Sequence, residues 1–116
     1  EVMEKIDLDT YYQIVYLYKM EGTYPANSDP VFKRTVRKVC ENFVLENGQL
    51  MYKLKGKLKT VPVTLKERLD VMRDAHITKS GHVSRIKTLD IIESKNIFWK
   101  GLYMDIQAFV GACSDC

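Results

Sequence analysis

The sequence predicts an α+β protein: helices with a three-stranded antiparallel sheet over residues 1–63, then a three-helix, helix-turn-helix-like bundle over 64–116. Three observations carry this. Apolar residues recur at helical spacing before residue 43 and after residue 64. Between them the period changes, and Asn47-Gly48 sits between two short apolar runs, a strong hairpin signal. Both histidines and two of the three cysteines then fall into one ordered pattern: His76, five residues, His82, thirty residues, Cys113, two residues, Cys116.

Asp9 is the expected cap of a first helix running to about Met20, with Tyr11, Ile14, Val15 and Tyr18 on one face and Gly22 as its stop. Residues 22–30 read as a loop whose Asp29-Pro30 starts a second helix, an N-cap followed by a first-turn proline. There Phe32, Val36, Val39, Cys40 and Phe43 share a face. Strands are expected near 43–46, 49–54 and 58–63, with a second turn at Lys55-Gly56-Lys57 and Pro62 pushing the last strand to an edge. Thr64 and Glu67 form a capping box. Leu65, Leu69 and Met72 then line a stripe with His76 on the same side. Residues 77–81 break that helix, and His82 is expected to open the next, with Ile86, Leu89 and Ile92 repeating every third residue. A connector with an aromatic centre (93–101) leads to a last helix over roughly 101–112.

Composition removes several classes. No apolar run approaches the roughly 18 residues that span a bilayer. The charged opening, Glu1 to Asp9, lacks the apolar region of a signal peptide. An odd cysteine count argues against a closed disulfide framework and for a reducing compartment, nucleus or cytosol. The net charge of +3 is nearly even between the halves, so any nucleic-acid role must rest on local clusters. The chain stops on Cys116, which reads as the front part of something longer.

Two imidazoles and two thiolates make a complete tetrahedral set for one zinc ion. With His76, His82, Cys113 and Cys116 all engaged, no position stays open for water, so the zinc is structural rather than catalytic. A bundle of some fifty residues is too small to hold itself by core burial alone, which makes a metal apt. A Cys-x2-Cys pair is also a redox motif, but reactive pairs sit at helix N-termini and this one ends a helix. Cys40 has no place in the pattern and reads as a core residue. Asp70 and Asp74, one helical turn apart, read as solvated charge rather than a metal site.

"GHVSRIKT" at 81–88, "IFWKGLYMDIQAFVGAC" at 97–113 and the closing "CSDC" resemble the His-His-Cys-Cys zinc-binding domain of retroviral and gypsy-type retrotransposon integrases. Gly81, His82, Lys87, Thr88, Phe98, Trp99 and Gly101 fit that pattern; Ser84 stands where glycine is usual and Lys100 where proline is usual. Upstream, "G-x-YP" at 22–25, a basic helix and "FVLENGQLMY" are similar to the extension that precedes the zinc domain in gypsy-type and spumaviral integrases. The resemblance also takes in cellular proteins descended from such integrases.

It implies that DNA cutting belongs to a separate core with a magnesium-holding carboxylate triad, to be sought after Cys116, and that this fragment is not itself an enzyme. It also implies double-stranded DNA as partner, multimer assembly and a nuclear location. Arg85 and Lys87 on the second helix of the bundle are the expected phosphate contacts, placed as in helix-turn-helix readers. Lys33, Arg34, Arg37 and Lys38 give a second cluster, and Lys53, Lys55, Lys57 and Lys59 a third; both also read as plain solubilising charge. Tyr11, Tyr12, Tyr16, Tyr18 and Tyr24 read as core and rim, or as a self-association surface. The alternative function is a domesticated protein whose zinc module serves protein interaction. A base-reading zinc finger fits worse, because its cysteines precede its histidines in a unit of about thirty residues.

Overall fold

The computed structural model describes residues 2–113. A 3₁₀ turn at Val2–Lys5 leads into helices α1 (Leu8–Glu21) and α2 (Pro30–Cys40). Strands β1 (Phe43–Glu46), β2 (Gln49–Leu54) and β3 (Lys57–Thr60) form an antiparallel meander in that order. Helix α3 (Leu65–His76), a hairpin of β4 (Ile77–Thr78) and β5 (Gly81–His82), helix α4 (Arg85–Ser94) and helix α5 (Leu102–Gly111) follow. The α+β class and the three-helix arrangement expected from the sequence are both present, with α3, α4 and α5 packed on one another.

Local signals explain most boundaries. Gly22 ends α1 in the left-handed conformation (φ 73°), its N–H donating to the Tyr18 carbonyl. The Asp29 carboxylate accepts the Phe32 N–H at 2.8 Å, and Pro30 takes the first helical position of α2. The registers Glu46↔Gln49 and Leu54↔Lys57 leave two-residue turns, Asn47-Gly48 and Lys55-Gly56, with positive φ at all four residues. That is the turn whose twist matches antiparallel strands. The Thr64 hydroxyl accepts the Glu67 N–H at 3.2 Å, and the Glu67 carboxylate reaches back to the Val63 N–H at 2.9 Å.

Four expectations are corrected. The cap of α1 is Asp7, which accepts the Thr10 N–H at 3.2 Å; Asp9 lies inside the helix and faces α3. β3 stops at Thr60: the Val61 N–H still donates in register to the Leu50 carbonyl (3.0 Å), but Pro62 has no N–H to continue the ladder. On α3 the inward face is Arg68, Met72, Ala75 and His76, while Leu65 and Leu69 are exposed along an open groove of about 680 Å³. On α4, Thr88 and Ile92 are buried and Ile86 is exposed.

The rotation of α3 has a physical cause. Arg68 is 4 % exposed, ion-paired to Asp9, and donates to the Pro62 carbonyl at 3.2 Å. The other Asp9 oxygen accepts the Leu65 N–H at 3.0 Å. Asp9 thus fastens the first turn of α3 to α1. The Leu65 N–H bond first, and the Arg68 guanidinium with it, hold the Asp9 carboxyl below the usual carboxylate range. A carboxyl lowered in the folded state stabilises at pH values above its unfolded pKa of about 3.9, and that stability is lost as pH falls through its folded pKa. The difference in unfolding free energy between wild type and Asp9→Asn should therefore be largest near neutrality, about 1–3 kcal/mol, and shrink below about pH 4. Urea titrations of both proteins across acid pH check this.

One continuous core crosses position 63. Tyr12, Val15, Val36, Phe43, Leu50 and Val61 on one side meet Met72, Ala75, Ile92, Trp99, Leu102 and Ile106 on the other. Phe43, Tyr52 and Phe98 form a ladder of rings, Tyr52 and Phe98 stacked at 5.1 Å and 18°. The connector before α5 also bridges β3: the Thr60 N–H donates to the Asn96 carbonyl at 2.7 Å, and the Phe98 N–H donates to the Thr60 carbonyl at 3.0 Å. Cys40 is 2 % exposed and its thiol is pushed up to about 11 by burial, as an inert core residue would be.

Candidate metal centre

The centre is built where α3 ends. After His76 the backbone becomes extended at Ile77 (φ −104°, ψ 105°) and enters a tight hairpin. Ile77 pairs with His82 and Thr78 with Gly81. Gly81 has a φ of 106°, a conformation that favours glycine. The Thr78 hydroxyl donates to the Gly81 carbonyl at 3.0 Å and accepts the Ser80 N–H at 3.2 Å. His82 therefore lies on a strand and does not open the next helix, as the sequence reading had it. The pairing folds His82 back onto its predecessor: the two imidazoles stand 4.9 Å apart at 62°, and the His76 carbonyl accepts the Val83 N–H at 2.9 Å.

Cys113 arrives from the far end of the chain, one residue past the C-cap of α5. Its Sγ lies 3.4 Å from His82 Nδ1. One ligand-type atom from each of His76, His82 and Cys113 falls within 4.8 Å of the others. Zn–S and Zn–N bonds of about 2.3 and 2.0–2.1 Å place adjacent ligand atoms of a tetrahedral site about 3.6 Å apart, so the N···S spacing suits a shared ion. His76 is 1 % exposed, with Phe109 edge-on to its ring at 6.1 Å, whereas His82 is exposed and Cys113 half-buried. Cys116, the fourth ligand expected from the spacing, lies outside the described residues. Two nitrogens and a thiolate-forming sulfur, converging from three elements, fit zinc in type and spacing.

The expected DNA contacts fall on three different elements. On α2, Arg34, Arg37 and Lys38 are exposed and Lys33 is half-buried. Lys33 Nζ sits 5.4 Å over the Tyr24 ring, and Arg37 donates to the Tyr24 hydroxyl at 3.1 Å, which raises the pKa of its guanidinium. On the β2–β3 hairpin, Lys55 and Lys57 are exposed at the tip. Lys53 donates to the Glu41 carbonyl (3.3 Å) and Lys59 to the Asn96 side chain (3.1 Å). On α4, Arg85 and Lys87 are exposed, Lys87 lying 3.9 Å from Asp90. Asp70 is paired with Lys66 and Arg73, which lower its carboxyl pKa.

Comparison with known proteins meets this geometry at the same segment. Residues 63–116 match the family model of the integrase zinc binding domain. This half of the chain is an integrase-type zinc-binding domain. The chain is 33% identical over 107 residues to gypsy retrotransposon integrase-like protein 1 of Pongo abelii, 32% to that of Homo sapiens and 31% to that of Macaca fascicularis. Each likeness covers 90% of this chain and 20% of the relative, so the chain spans about a fifth of the length of these proteins. No solved structure is a significant match. The chain therefore carries an integrase-type N-terminal region with a structural zinc site, as the sequence resemblance implied. Among the described residues no helix is long and apolar enough to cross a membrane.

Both departures from the integrase zinc-binding pattern have a structural reason. Ser84, in place of glycine, caps α4: its hydroxyl accepts the Lys87 N–H at 3.1 Å. Lys100, in place of proline, has an N–H, and it donates to the buried Tyr12 hydroxyl at 2.9 Å. Burial pushes that phenol up to about 12. Lys100 Nζ also lies 5.0 Å over the Tyr11 ring. Sequence reasoning did not find Thr88 and Phe109 as neighbours of His76, or Arg68 as a buried tie; the signals were the places of Thr88 and Phe109 within the segments that resemble integrases.

Proposed function

We propose that His76, His82, Cys113 and Cys116 hold one zinc ion, and that the units 1–63 and 64–116 together serve an integrase or integrase-derived protein in gripping DNA ends and assembling the multimer. The observation that carries the reading is the convergence of His76, His82 and Cys113 inside the segment that matches the integrase zinc-binding domain. One ligand ends α3, one lies on the hairpin that leads into α4 and one comes from beyond α5, so the ion clamps the helix-turn-helix-like pair against the third helix. That clamping fixes α4, where Arg85 and Lys87 stand ready for phosphate. Arg34, Lys38, Lys55 and Lys57 extend the basic footprint onto α2 and the hairpin tip. The parent protein would carry the nucleotidyl-transfer core downstream and act in the nucleus.

Duplex DNA titrated with the zinc-loaded chain at several salt concentrations tests the reading. The logarithm of the binding constant should fall with the logarithm of salt at about −0.9 per phosphate neutralised. Arg85→Glu with Lys87→Glu should flatten that slope without displacing zinc. The exposure of Ile86 (79 %) and Met104 (65 %) favours a second reading, a host protein that uses this module for self-association. A stable dimer with no salt-dependent DNA binding would select it and overturn the first.

A further inference from the structure

We infer that Thr88 is a positioning residue for the metal, holding the His76 ring by Nδ1 so that Nε2 is the atom turned to the ion; this rests on the reading of His76 as a ligand. Thr88 is fully buried on α4, and its Oγ1 lies 3.4 Å from His76 Nδ1. The direction of that contact follows from where the hydroxyl proton goes. Thr88 Oγ1 donates to the Ser84 carbonyl at 2.7 Å, one turn back along the same helix. With its single proton engaged there, the oxygen faces Nδ1 with lone pairs only. It accepts, so Nδ1 carries the hydrogen and Nε2 keeps the free pair that a cation needs.

The other neighbours agree. Phe109 stands edge-on to the His76 ring at 88°, limiting its swing. The Thr88 N–H also donates to the Ser84 carbonyl, at 2.8 Å, so the whole Ser84–Thr88 turn is one rigid bracket. Ser84 caps that turn through Lys87. The bracket therefore runs from the cap of α4 to a buried ligand at the end of α3. Histidine ligands commonly donate their second nitrogen to an oxygen that fixes tautomer and ring angle, and loss of that partner costs roughly 10–100-fold in metal affinity.

The test uses the whole chain. Zinc affinity of wild type, Thr88→Val and Thr88→Ser is measured by competition with a chromophoric chelator. In parallel, the cadmium-substituted wild-type chain is examined by long-range ¹⁵N–¹H correlation, which reports which ring nitrogen is protonated and which couples to the metal. The expected results are a loss of roughly 10–100-fold for valine, recovery with serine, and a His76 ring protonated on Nδ1 and coupled through Nε2. Coupling through Nδ1, unchanged affinity in Thr88→Val, or equal loss in the serine and valine variants would overturn the Thr88 role while leaving His76 a ligand. A His76 ring with neither nitrogen coupled to the metal would sink the ligand assignment and the Thr88 role with it.

Discussion

Stripping zinc from this chain should unwind α3, α4 and α5, and His82→Ala should do the same in the presence of metal. Among the described residues the C-terminal half contributes six side chains to the buried apolar core: Met72, Ala75, Ile92, Trp99, Leu102 and Ile106. Half of these, Ile92, Leu102 and Ile106, are what α4 and α5 bury. Small units with so little burial rely on metals or cross-links. A structural zinc supplies apparent folding energy on the order of 10 kcal/mol or more at neutral pH, against a total stability of roughly 5–15 kcal/mol for an ordinary domain. No other single removal in this chain competes with that. The far-UV circular dichroism of a chelated sample should lose helical signal, and metal analysis should give one zinc per chain before chelation. Acid should act as the chelator does, because the ligands must be deprotonated to bind. Cys40→Ala is the control: its thiol is buried away from the centre, so zinc stoichiometry should not change. Full helicity in a metal-free sample would end the structural role assigned to the ion.

The elements legible in the sequence are those specified within a few residues. Gly22, Asp29-Pro30, Asn47-Gly48 and the Thr64–Glu67 box each act over one turn, and each appears where it was expected. The metal centre was legible for another reason: side chains that must meet one ion leave a pattern of residue types even when far apart in sequence. What failed was decided at longer range or finer scale. Asp7 and Asp9 both satisfy the template of a helix cap, and only the tie from Asp9 to Arg68, 59 residues away, separates them. That tie also turns α3, so a stripe of Leu65, Leu69 and Met72 that looks inward by periodicity leaves both leucines exposed. Strands β4 and β5 have two residues each, too few for any period to register. Thr88 was visible as part of a motif, but its work depends on a contact with His76 on another helix.

Trp99→Ala should be the most damaging single substitution outside the metal centre, at about 3–5 kcal/mol. Trp99 is wholly buried, and its Nε1–H donates to the Asp105 carboxylate at 2.7 Å in the first turn of α5. Truncation removes the largest fully buried side chain, opens a cavity and leaves that carboxylate without its donor. Trp99→Phe weights these effects differently, since it keeps much of the ring volume and deletes the donor; its cost should be nearer about 1–3 kcal/mol. The position also decides how far the damage spreads. Phe98, one residue earlier, stacks on Tyr52 of the sheet, and Lys100, one residue later, donates to Tyr12 of α1. A cavity at Trp99 therefore loosens the seam between the α1–sheet unit and the zinc-binding bundle, not the bundle alone. Urea unfolding of zinc-loaded Trp99→Ala should show the two halves separating into distinct transitions where wild type shows one. A single, merely shifted transition would mean that the Asp9–Arg68 tie and the rest of the shared core hold the halves together without this residue.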